Sequence, residues 1–401
     1  MKVLYVSHEA SRTGAPIVLL HFLRWLSARV PEPPDLLLLR GGELEPEFRK
    51  VAKVTVLESC RPPASLLDKF LRRVPGLEHR LLAKWQARVA RAMNSPRFDL
   101  VYLNTTATGL ALDFLGAQAC PVLTHVHELE PTIQHYVGQE PFRRVCNRTS
   151  RYIAVSEAVR DNLTVNHQIP PDKIDLILPF IQVPPYPESG ALNQRTALAE
   201  RLGIPGDAMV VGAVGSPFWR KGIDLLVPLA RVIGRKKTER QVHFVWVGGA
   251  DGSETICQMR YDARHAGVAD RIHHVPNTPN VLQWIAGFDA LALLSREDPY
   301  PLVALEAASL GKPVLCFEGA GGIPDFVGSE CGHVSPYLDL DDMARFILLL
   351  LSDSRLGHQI GRSGRAKVAA INSVDALAPK VFEVIRSLVA SGSARFELAK
   401  R

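Results

Sequence analysis

The stretch SREDPYPLVALEAASLGKPVLC, residues 295–316, contains the loop, helix and strand pattern on which the rest of the chain is built. An acidic loop broken by prolines leads into a short apolar helix over residues 302–310, and Gly311 leads into a strand over residues 313–316. The helix carries one carboxylate, Glu306, among apolar neighbours. Because an unpaired buried carboxylate is costly, Glu306 requires hydrogen-bond donors, which are either structural groups of the protein or hydroxyls of a ligand.

Short strands alternate with helices along the whole chain, and this pattern predicts an α/β fold of two Rossmann-like, doubly wound domains. The first half contains six strand-like runs, at residues 2–7, 35–40, 53–57, 99–103, 121–124 and 151–155. The second half repeats the arrangement, at residues 208–214, 242–247, 271–275, 290–294, 313–316 and 331–334.

A proline-rich segment over residues 169–192 is expected to link the two halves, because it contains only one short strand. The predicted domains are residues 1–188 and 189–373, followed by a C-terminal helix over residues 374–401. Open parallel sheets bind ligands at the carboxyl ends of their strands. We therefore expect the two domains to face each other across a cleft that holds the ligand.

The length, amino-acid composition and net charge of the chain are typical of a two-domain globular protein with a mild excess of basic residues. The chain has 401 residues, 47% hydrophobic and 22% charged, with a net charge of +6. This balance argues against disorder and fits an anionic small ligand or membrane surface better than nucleic acid. Six scattered cysteines without a CxxC pair and an N-terminus without a signal-peptide layout favour the cytoplasm. No apolar run reaches the roughly 18 residues of a spanning helix.

The loop GSPFWRKG, residues 215–222, follows a predicted strand and places Arg220 and Lys221 at the start of a helix. Backbone N–H groups, the helix dipole and two cations suit a phosphate or diphosphate, although two solvent-facing cations are the alternative. The chain lacks the Walker spacing, a GxGxxG motif after a strand and a GxSxG elbow. These absences disfavour a P-loop enzyme, a dinucleotide oxidoreductase and a serine hydrolase.

Two features of the first half are candidates for contacts at the carboxyl edge of its sheet. Gly14 follows the first strand and opens a helix, so that a ligand can approach the backbone closely, with an ordinary tight turn as the alternative. His125 and His127 alternate in THVHELE after another strand. A zinc pair lacks a third ligand with convincing spacing, so each histidine either has a structural role or binds a hydroxyl or carbonyl group.

Residues 65–94 form a basic helical stretch that Pro75 and Gly76 interrupt. Its cations alternate with apolar residues, which leaves two readings: a surface that rests on anionic lipid through residues 66–91, or a solvated helix face. The basic residues are Lys69, Arg72, Arg73, Arg80, Lys84, Arg88 and Arg91.

The chain resembles the GT-B glycosyltransferases of family four, most strongly over residues 152–363. Asp298 and Glu306 match the two acids of the family's E-x7-E motif, with Asp in place of the first Glu and Glu297 one position earlier. Lys221 matches the lysine that grips the diphosphate, whereas Ser216 stands where the family has an arginine. The resemblance implies that Glu306 holds the ribose and that Asp298 binds the donor sugar, and it leaves Glu297 as the alternative first acid.

The resemblance also supplies expectations for the first half and for the C-terminus. Gly14 matches the family's N-terminal glycine loop, His127 resembles the histidine near the transferred sugar, and the last helix packs back on the N-terminal domain. The expected catalytic residues are His127, Asp298 and Lys221. The expected substrate-binding residues are Gly14, Ser216, Arg220, Lys221, Glu297, Asp298, Leu302, Val303 and Glu306.

The implied activity is retaining transfer of a sugar from a nucleotide sugar to a glycan or lipid-linked acceptor. The setting would be synthesis of a cell-surface polysaccharide or glycolipid in the cytoplasm or at the inner face of the membrane. The resemblance implies no metal, no separate cofactor and no nucleic acid. Two alternatives stay open: another GT-B enzyme, such as a sugar-nucleotide epimerase or a phosphorylase, and an inactive scaffold that binds nucleotide sugars.

Overall fold

A computed structural model describes residues 1–60, 78–93, 97–115, 120–184 and 191–398. The chain divides into two compact units, of which the first comprises Met1–Leu178 and Leu377–Arg401 and the second comprises Pro179–Ala376. The domain boundary predicted at residues 188 and 189 lies outside the described residues.

The first unit is built on a parallel sheet of seven strands in the order β3-β2-β1-β4-β5-β6-β7. Its core strands read as continuous apolar runs because helices cover both faces of a parallel sheet. In register, Val6 pairs with Leu37 on one side and with Leu103 on the other. The strands are β1 Val3–Ser7, β2 Asp35–Leu38, β3 Lys53–Val56, β4 Leu100–Leu103, β5 Val122–Val126, β6 Arg151–Ala154 and β7 Ile174–Leu176.

The helices of this unit follow the strands in alternation. Ser156 caps the start of one of them, because its hydroxyl accepts a hydrogen bond from the Val159 backbone N–H at 3.2 Å. The helices are α1 Gly14–Ser27, α2 Glu45–Arg49, α3 Glu78–Met93, α4 Leu110–Leu115, α5 Glu130–Thr132, α6 Gln139–Arg148 and α7 Glu157–Asp161.

The second unit contains a six-stranded parallel sheet in the order β10-β9-β8-β11-β12-β13. The strands are β8 Met209–Val214, β9 Val242–Val247, β10 Ile272–Val275, β11 Ala290–Ala292, β12 Val314–Phe317 and β13 Gly332–Ser335. The helices are α8 Ala191–Leu202, α9 Ile223–Gly234, α10 Glu254–His265, α11 Val281–Ala286, α12 Leu302–Ser309, α13 Ile323–Val327, α14 Leu340–Ser352 and α15 Ser354–Ile371. A last helix, α16, spans Val374–Leu398.

Both sheets reverse their strand order once, between β1 and β4 in the first unit and between β8 and β11 in the second. This is the order of a doubly wound Rossmann-like fold, and it confirms the predicted α/β class with two such domains. Ligands of open parallel sheets bind beyond the carboxyl ends of the strands at this reversal. A ligand site is therefore expected at the loops that follow β1, β4, β8 and β11.

The terminal helix packs against the first helix within the first unit. The ring of Phe382 on α16 lies edge-on to Trp25 on α1, with ring centroids 6.0 Å apart. Trp25 in turn stacks on Phe22, which lies against the buried Tyr102 of β4. This aromatic column connects α16 to the centre of the first sheet.

Helix α3 is the described part of the basic stretch, and residues 65–77 lie outside the described residues. Its apolar face is used for packing: Val89 is buried in the core, and Trp85 meets Phe114 edge-on with ring centroids 4.5 Å apart. Lys84, Arg88 and Arg91 of the same helix are exposed. Within the described residues, no helix combines the length and the hydropathy needed to cross a membrane.

Candidate functional site

Two loops of the second unit meet at the carboxyl ends of β8 and β11. The Lys221 ammonium donates a hydrogen bond to the carboxylate of Asp298, and one guanidinium nitrogen of Arg220 lies 3.9 Å from the same carboxylate. Arg220 also donates to the backbone carbonyl of Glu297 at 3.3 Å. The structure thus brings together four residues that the sequence selects separately, and it places two cations where the strand order reverses.

Glycine is required at two points where these loops touch their neighbours. At Gly222, with φ +69°, a Cβ atom would lie 1.9 Å from the carbonyl oxygen of Leu294. At Gly321, with φ +118°, it would lie 1.8 Å from the carbonyl oxygen of Asp298. Asp298 also donates its backbone N–H to Ala320 at 2.7 Å, so the glycine loop after β12 supports the loop that carries the acid.

Glu297 differs from Asp298 in its surroundings. Both of its carboxylate oxygens are buried, and neither has a hydrogen-bond partner among the described residues. Burial raises the pKa of Glu297, while the nearby Arg220 and Lys221 act in the opposite direction. Asp298 is paired with a cation and Glu297 is not, so the two candidates for the first acid have different electrostatic roles.

Glu306 lies on α12, immediately after the acidic loop. Among the described residues, no group donates a hydrogen bond to its carboxylate or forms an ion pair with it. Burial alone raises the pKa of Glu306 to about 7. A structural partner, which is one of the two options for a carboxylate in an apolar helix, is thus not found in the described part of the chain.

The other predicted residues of the second unit occupy the margins of this cluster. Ser216 is exposed at the start of the cationic loop, and its carbonyl accepts a hydrogen bond from the Phe218 backbone N–H at 2.7 Å. Leu302 is buried and Val303 is partly exposed in the first turn of α12. Ser216 is therefore open to solvent, whereas the side chain of Leu302 contributes to the apolar packing.

Arg296 is a residue of this site that the sequence analysis missed. Its guanidinium makes two hydrogen bonds to Asp224, at 2.8 and 2.6 Å, and lies 4.9 Å from the ring centroid of Trp219. Its backbone N–H also donates to the carbonyl of Arg220 at 2.8 Å. These contacts join the cationic loop to the acidic loop. The position of Arg296 directly beside Glu297 is the only signal for this role in the sequence.

In the first unit, α1 begins at Gly14 and leaves this residue exposed. The side-chain amide of Asn104, which follows β4, donates to the carbonyl of Ala15 at 2.9 Å. The Asn104 side-chain oxygen is buried and has no partner among the described residues. The segment after β1 and the loop after β4 therefore meet at Ala15, next to Gly14, beside the reversal of the first sheet.

His125 and His127 lie at the carboxyl end of β5 with their ring centroids 4.2 Å apart. The hydroxyl of Tyr102 is 2.6 Å from Nδ1 of His125, and Nε2 of each histidine is buried with no partner among the described residues. Burial lowers the pKa of His125 to about 3, and burial together with His125 and His8 lowers the pKa of His127 well below its ordinary value. Both rings are neutral at pH 7.

No third metal ligand joins this pair within the described residues. A neutral imidazole with a free nitrogen can accept a hydrogen bond from a hydroxyl group or donate one to a carbonyl, depending on its tautomer. His127 is the more accessible of the two, because it is partly exposed whereas His125 is 1% exposed.

Glu128, Thr105 and His8 lie next to these histidines, and the sequence analysis singled out none of them. Glu128 is buried and accepts backbone hydrogen bonds from Thr106 and from His127. Thr105 adopts φ +139° and ψ 160°, a conformation that non-glycine residues rarely adopt. The strand-end position of Glu128 in THVHELE is a signal that could have identified it.

Comparison with known proteins connects both units to one group of families. Residues 35–183 match the family model described as Glycosyltransferase Family 4, and residues 194–367 match the model described as Glycosyl transferases group 1. The chain is 28% identical over 192 residues to the D-inositol 3-phosphate glycosyltransferase of Corynebacterium kroppenstedtii, covering 45% of this chain and 42% of that protein. It is 27% identical over 280 residues to the enzyme of that name from Streptomyces coelicolor, covering 63% and 60%.

Solved structures share the fold over almost the full chain. Anabaena Alr3699/HepE in complex with UDP and glucose superposes with a TM-score of 0.77 at 19% identity, covering 96% of this chain and 100% of that one. WaaG, a glycosyltransferase involved in lipopolysaccharide biosynthesis, gives a TM-score of 0.68 at 16% identity, covering 96% and 99%. At these identities the likeness is one of fold.

Proposed function

The chain belongs to the GT-B glycosyltransferases in which a Glycosyltransferase Family 4 region precedes a glycosyl transferases group 1 region, and we propose that it transfers a sugar from a UDP-sugar to a glycan or lipid-linked acceptor. The curated relatives named above are matched over less than two thirds of their length. The activity of the whole protein is therefore our proposal, and we place it in the synthesis of a cell-surface polysaccharide or glycolipid.

The observation that carries this proposal is the cationic loop at the reversal of the second sheet. Lys221 and Arg220 converge on the buried Asp298 beyond the ends of β8 and β11. Transfer of a sugar leaves negative charge on the departing diphosphate, and preorganised cations lower the barrier for such a step. In this proposal the diphosphate binds at Lys221 and Arg220, and Asp298 turns to the hydroxyls of the donor sugar.

The nucleoside end of the donor is assigned to Glu306. Glu306 is partly exposed, and its carboxylate has no structural partner in the described part of the chain, so ribose hydroxyls can reach it and are suitable donors for it. We choose uracil as the base because Anabaena Alr3699/HepE, which shares the fold, was solved with UDP and with UDP-glucose. Leu302 and Val303, in the first turn of the same helix, are proposed to line this pocket.

The first unit is proposed to bind the acceptor and the transferred sugar. Gly14 leaves the start of α1 open to a ligand, and the neutral ring of His127 has a free nitrogen for a sugar hydroxyl. A neutral imidazole accepts or donates a hydrogen bond without adding charge where the sugar becomes positive. Retention of the anomeric configuration is proposed from the resemblance to family four.

The activity is tested by thermal unfolding of the protein in the presence of a panel of UDP-, GDP-, ADP- and dTDP-sugars. We expect UDP-sugars alone to raise the unfolding temperature, because a ligand that binds only the folded state stabilises it. The UDP-sugar that binds is then incubated with an acceptor panel that includes lipid-linked glycans and D-inositol 3-phosphate. The expected product is the glycosylated acceptor together with UDP.

The same incubation separates the alternatives. A sugar-nucleotide epimerase would convert the donor without an acceptor, and a phosphorylase would require free phosphate. Binding of the donor without transfer over the whole acceptor panel would indicate an inactive scaffold and would contradict the proposed activity. The presence of D-inositol 3-phosphate in the panel tests whether the acceptor named for the curated relatives applies here.

We also propose that the exposed face of α3 contacts an anionic membrane surface. Lys84, Arg88 and Arg91 are exposed, while Val89 of the same helix is buried in the core. Each such cation contributes about 1 kcal/mol to binding at an anionic surface. Replacing all three by glutamate should weaken sedimentation with phosphatidylserine vesicles at low salt by at least about 100-fold.

The matched control makes the same change of charge, three basic residues to glutamate, at exposed positions outside α3. Arg235, Lys236 and Lys237 are exposed in the second unit, and their replacement by glutamate should reduce sedimentation much less. If the two triple variants sediment equally, or if wild-type protein stays in the supernatant, α3 has a solvated basic face and the membrane proposal is wrong.

A further inference from the structure

Two strand ends of the first unit meet at one buried carboxylate, and a third lies beside them. His8 follows β1, Thr105 and Thr106 follow β4, and Glu128 follows β5. Glu128 is 6% exposed. The side chain of a buried carboxylate is held by donors, and here the donors come from the backbone of two different loops.

The hydrogen bonds of Glu128 connect these loops directly. The Thr106 N–H lies 3.2 Å from Oε1 and 3.4 Å from Oε2, and the His127 N–H lies 2.9 Å from Oε2. The two oxygens are thus both used by backbone donors. No cation pairs with this carboxylate in the described part of the chain, so hydrogen bonds from the loop after β4 and from the His127 backbone hold its position.

The loop after β4 needs such a restraint because Thr105 is strained. Its φ of +139° lies in a region that is favourable for glycine, and a β-branched residue there costs of order 1–3 kcal/mol. The Thr105 carbonyl accepts from the Thr108 hydroxyl at 2.6 Å, and the Thr105 hydroxyl lies 3.5 Å from Nδ1 of His8. The neighbouring hydrogen bond from Thr106 to Glu128 helps to hold the strained residue in place.

We propose that Glu128 is a positioning residue for sugar transfer, which holds the His127 backbone and the strained Thr105–Thr106 loop so that the His127 ring stays in its productive place. This inference rests on the proposed function, in which the free nitrogen of His127 binds the transferred sugar. Glu128 itself is buried behind these groups and acts only through them. Misplacing a reacting group by about 1 Å costs about 100-fold in rate.

The test compares Glu128→Gln with Glu130→Gln. The side chain of a glutamine at position 128 has only one oxygen that can accept a hydrogen bond. It can accept from the N–H of Thr106 or from that of His127, and its NH₂ group then faces the remaining N–H, which loses its acceptor. Glu130 is a suitable control because it lies on the same segment but accepts from Gln134 at 2.8 Å and pairs with His167 at 2.7 Å. We expect kcat to fall about 100-fold in Glu128→Gln, with the KM for the donor nearly unchanged, and to stay at the wild-type level in Glu130→Gln.

A second readout requires no substrate. In protein labelled with ¹³C-histidine, the NMR signal of the His127 ring is assigned by its loss in His127→Gln. Its chemical shift should change in Glu128→Gln. In Glu130→Gln it should stay the same, and the chemical shift of the His167 ring should change instead. If Glu128→Gln does not fold, Glu128→Asp takes its place, because the shorter side chain cannot reach both loops.

An unchanged chemical shift of the His127 ring overturns the proposal, and so does a wild-type kcat in a variant whose His127 shift has changed. If no nucleotide sugar supports transfer by the wild type, the proposed function fails, while the ring signals still decide whether Glu128 positions His127.

Discussion

Replacing Lys221 by glutamine is expected to lower kcat/KM for sugar transfer by about 1,000-fold while the protein remains folded. Lys221 is the cation that contacts the Asp298 carboxylate at the carboxyl ends of β8 and β11. In the proposed transfer step the diphosphate would gain charge, and the loss of one preorganised donor at a developing anion is typically worth 100- to 1,000-fold. Glutamine is chosen because it can still donate a hydrogen bond to Asp298, whereas alanine would leave a buried carboxylate without its cation.

The control for Lys221→Gln is Lys237→Gln, which removes the same charge from an exposed position of the second unit. Both variants are compared with the wild type by initial-rate assay and by thermal unfolding. A Lys221→Gln protein that unfolds like the wild type and transfers at more than a tenth of its rate would show that the diphosphate binds elsewhere. In that case Arg220, whose guanidinium lies 3.9 Å from Asp298, is the next candidate.

Glu306→Gln is expected to stabilise the unliganded protein at pH 8 and to weaken nucleotide binding. The pKa of Glu306 is raised from 4.5 to about 7 by burial alone. The folded state therefore holds a proton that the unfolded state releases between pH 4.5 and 7. The stability that this proton contributes is fully present below pH 4.5 and is lost as the pH rises through about 7.

The size of this effect follows from the shift. At 1.36 kcal/mol per pKa unit, the shift from 4.5 to about 7 sets an upper limit of about 3–4 kcal/mol on the unfolding free energy that the ionised carboxylate costs at pH 8. Glutamine removes that cost. Thermal unfolding of Glu306→Gln and wild type at pH 5 and pH 8 measures it: the variant should be the more stable at pH 8, with a smaller difference at pH 5. Equal unfolding temperatures at pH 8 would mean that Glu306 is already satisfied in the free protein.

The ribose contact is measured with deoxynucleotides. If Glu306 accepts hydrogen bonds from ribose hydroxyls, the wild type should bind UDP at least about 10-fold more tightly than 2′- or 3′-deoxy-UDP, since a hydrogen bond to a charged group is worth about 1.5–3 kcal/mol. In Glu306→Gln this preference should shrink to a few-fold. A preference that is the same in both proteins would remove Glu306 from the ribose site and leave its burial without a functional reason.

The fold could be predicted from the sequence because its elements are local. The apolar runs of β1, β8 and β12 lie within a residue or two of the predicted ones. Parallel strands buried on both faces produce such runs regardless of what surrounds them. The alternation of strands and helices then restricts the topology to the doubly wound type.

The site could be predicted only in part, because its contacts are long-range. Lys221 and Asp298 are 77 positions apart, and their ion pair depends on how β8 and β11 lie side by side. The strained φ of Thr105 leaves no mark in the local sequence. The strand-end position of Glu128 marks it as a candidate but does not show that it binds Thr106, 22 positions earlier. Glu306 could be identified as a candidate from the sequence alone, because a carboxylate in an apolar helix departs from the local pattern.

Hydrogen–deuterium exchange of the wild-type protein with and without a saturating UDP-sugar tests the central claim most directly. The donor is proposed to bind on the second unit, at the cationic loop over residues 215–222, the acidic loop and α12 over residues 295–309, and the glycine loop over residues 319–322. We predict that peptides covering these three segments exchange more slowly with the donor bound, and that peptides from β9 and α10 do not change. Unchanged exchange in the three segments under conditions where the donor binds would contradict the account.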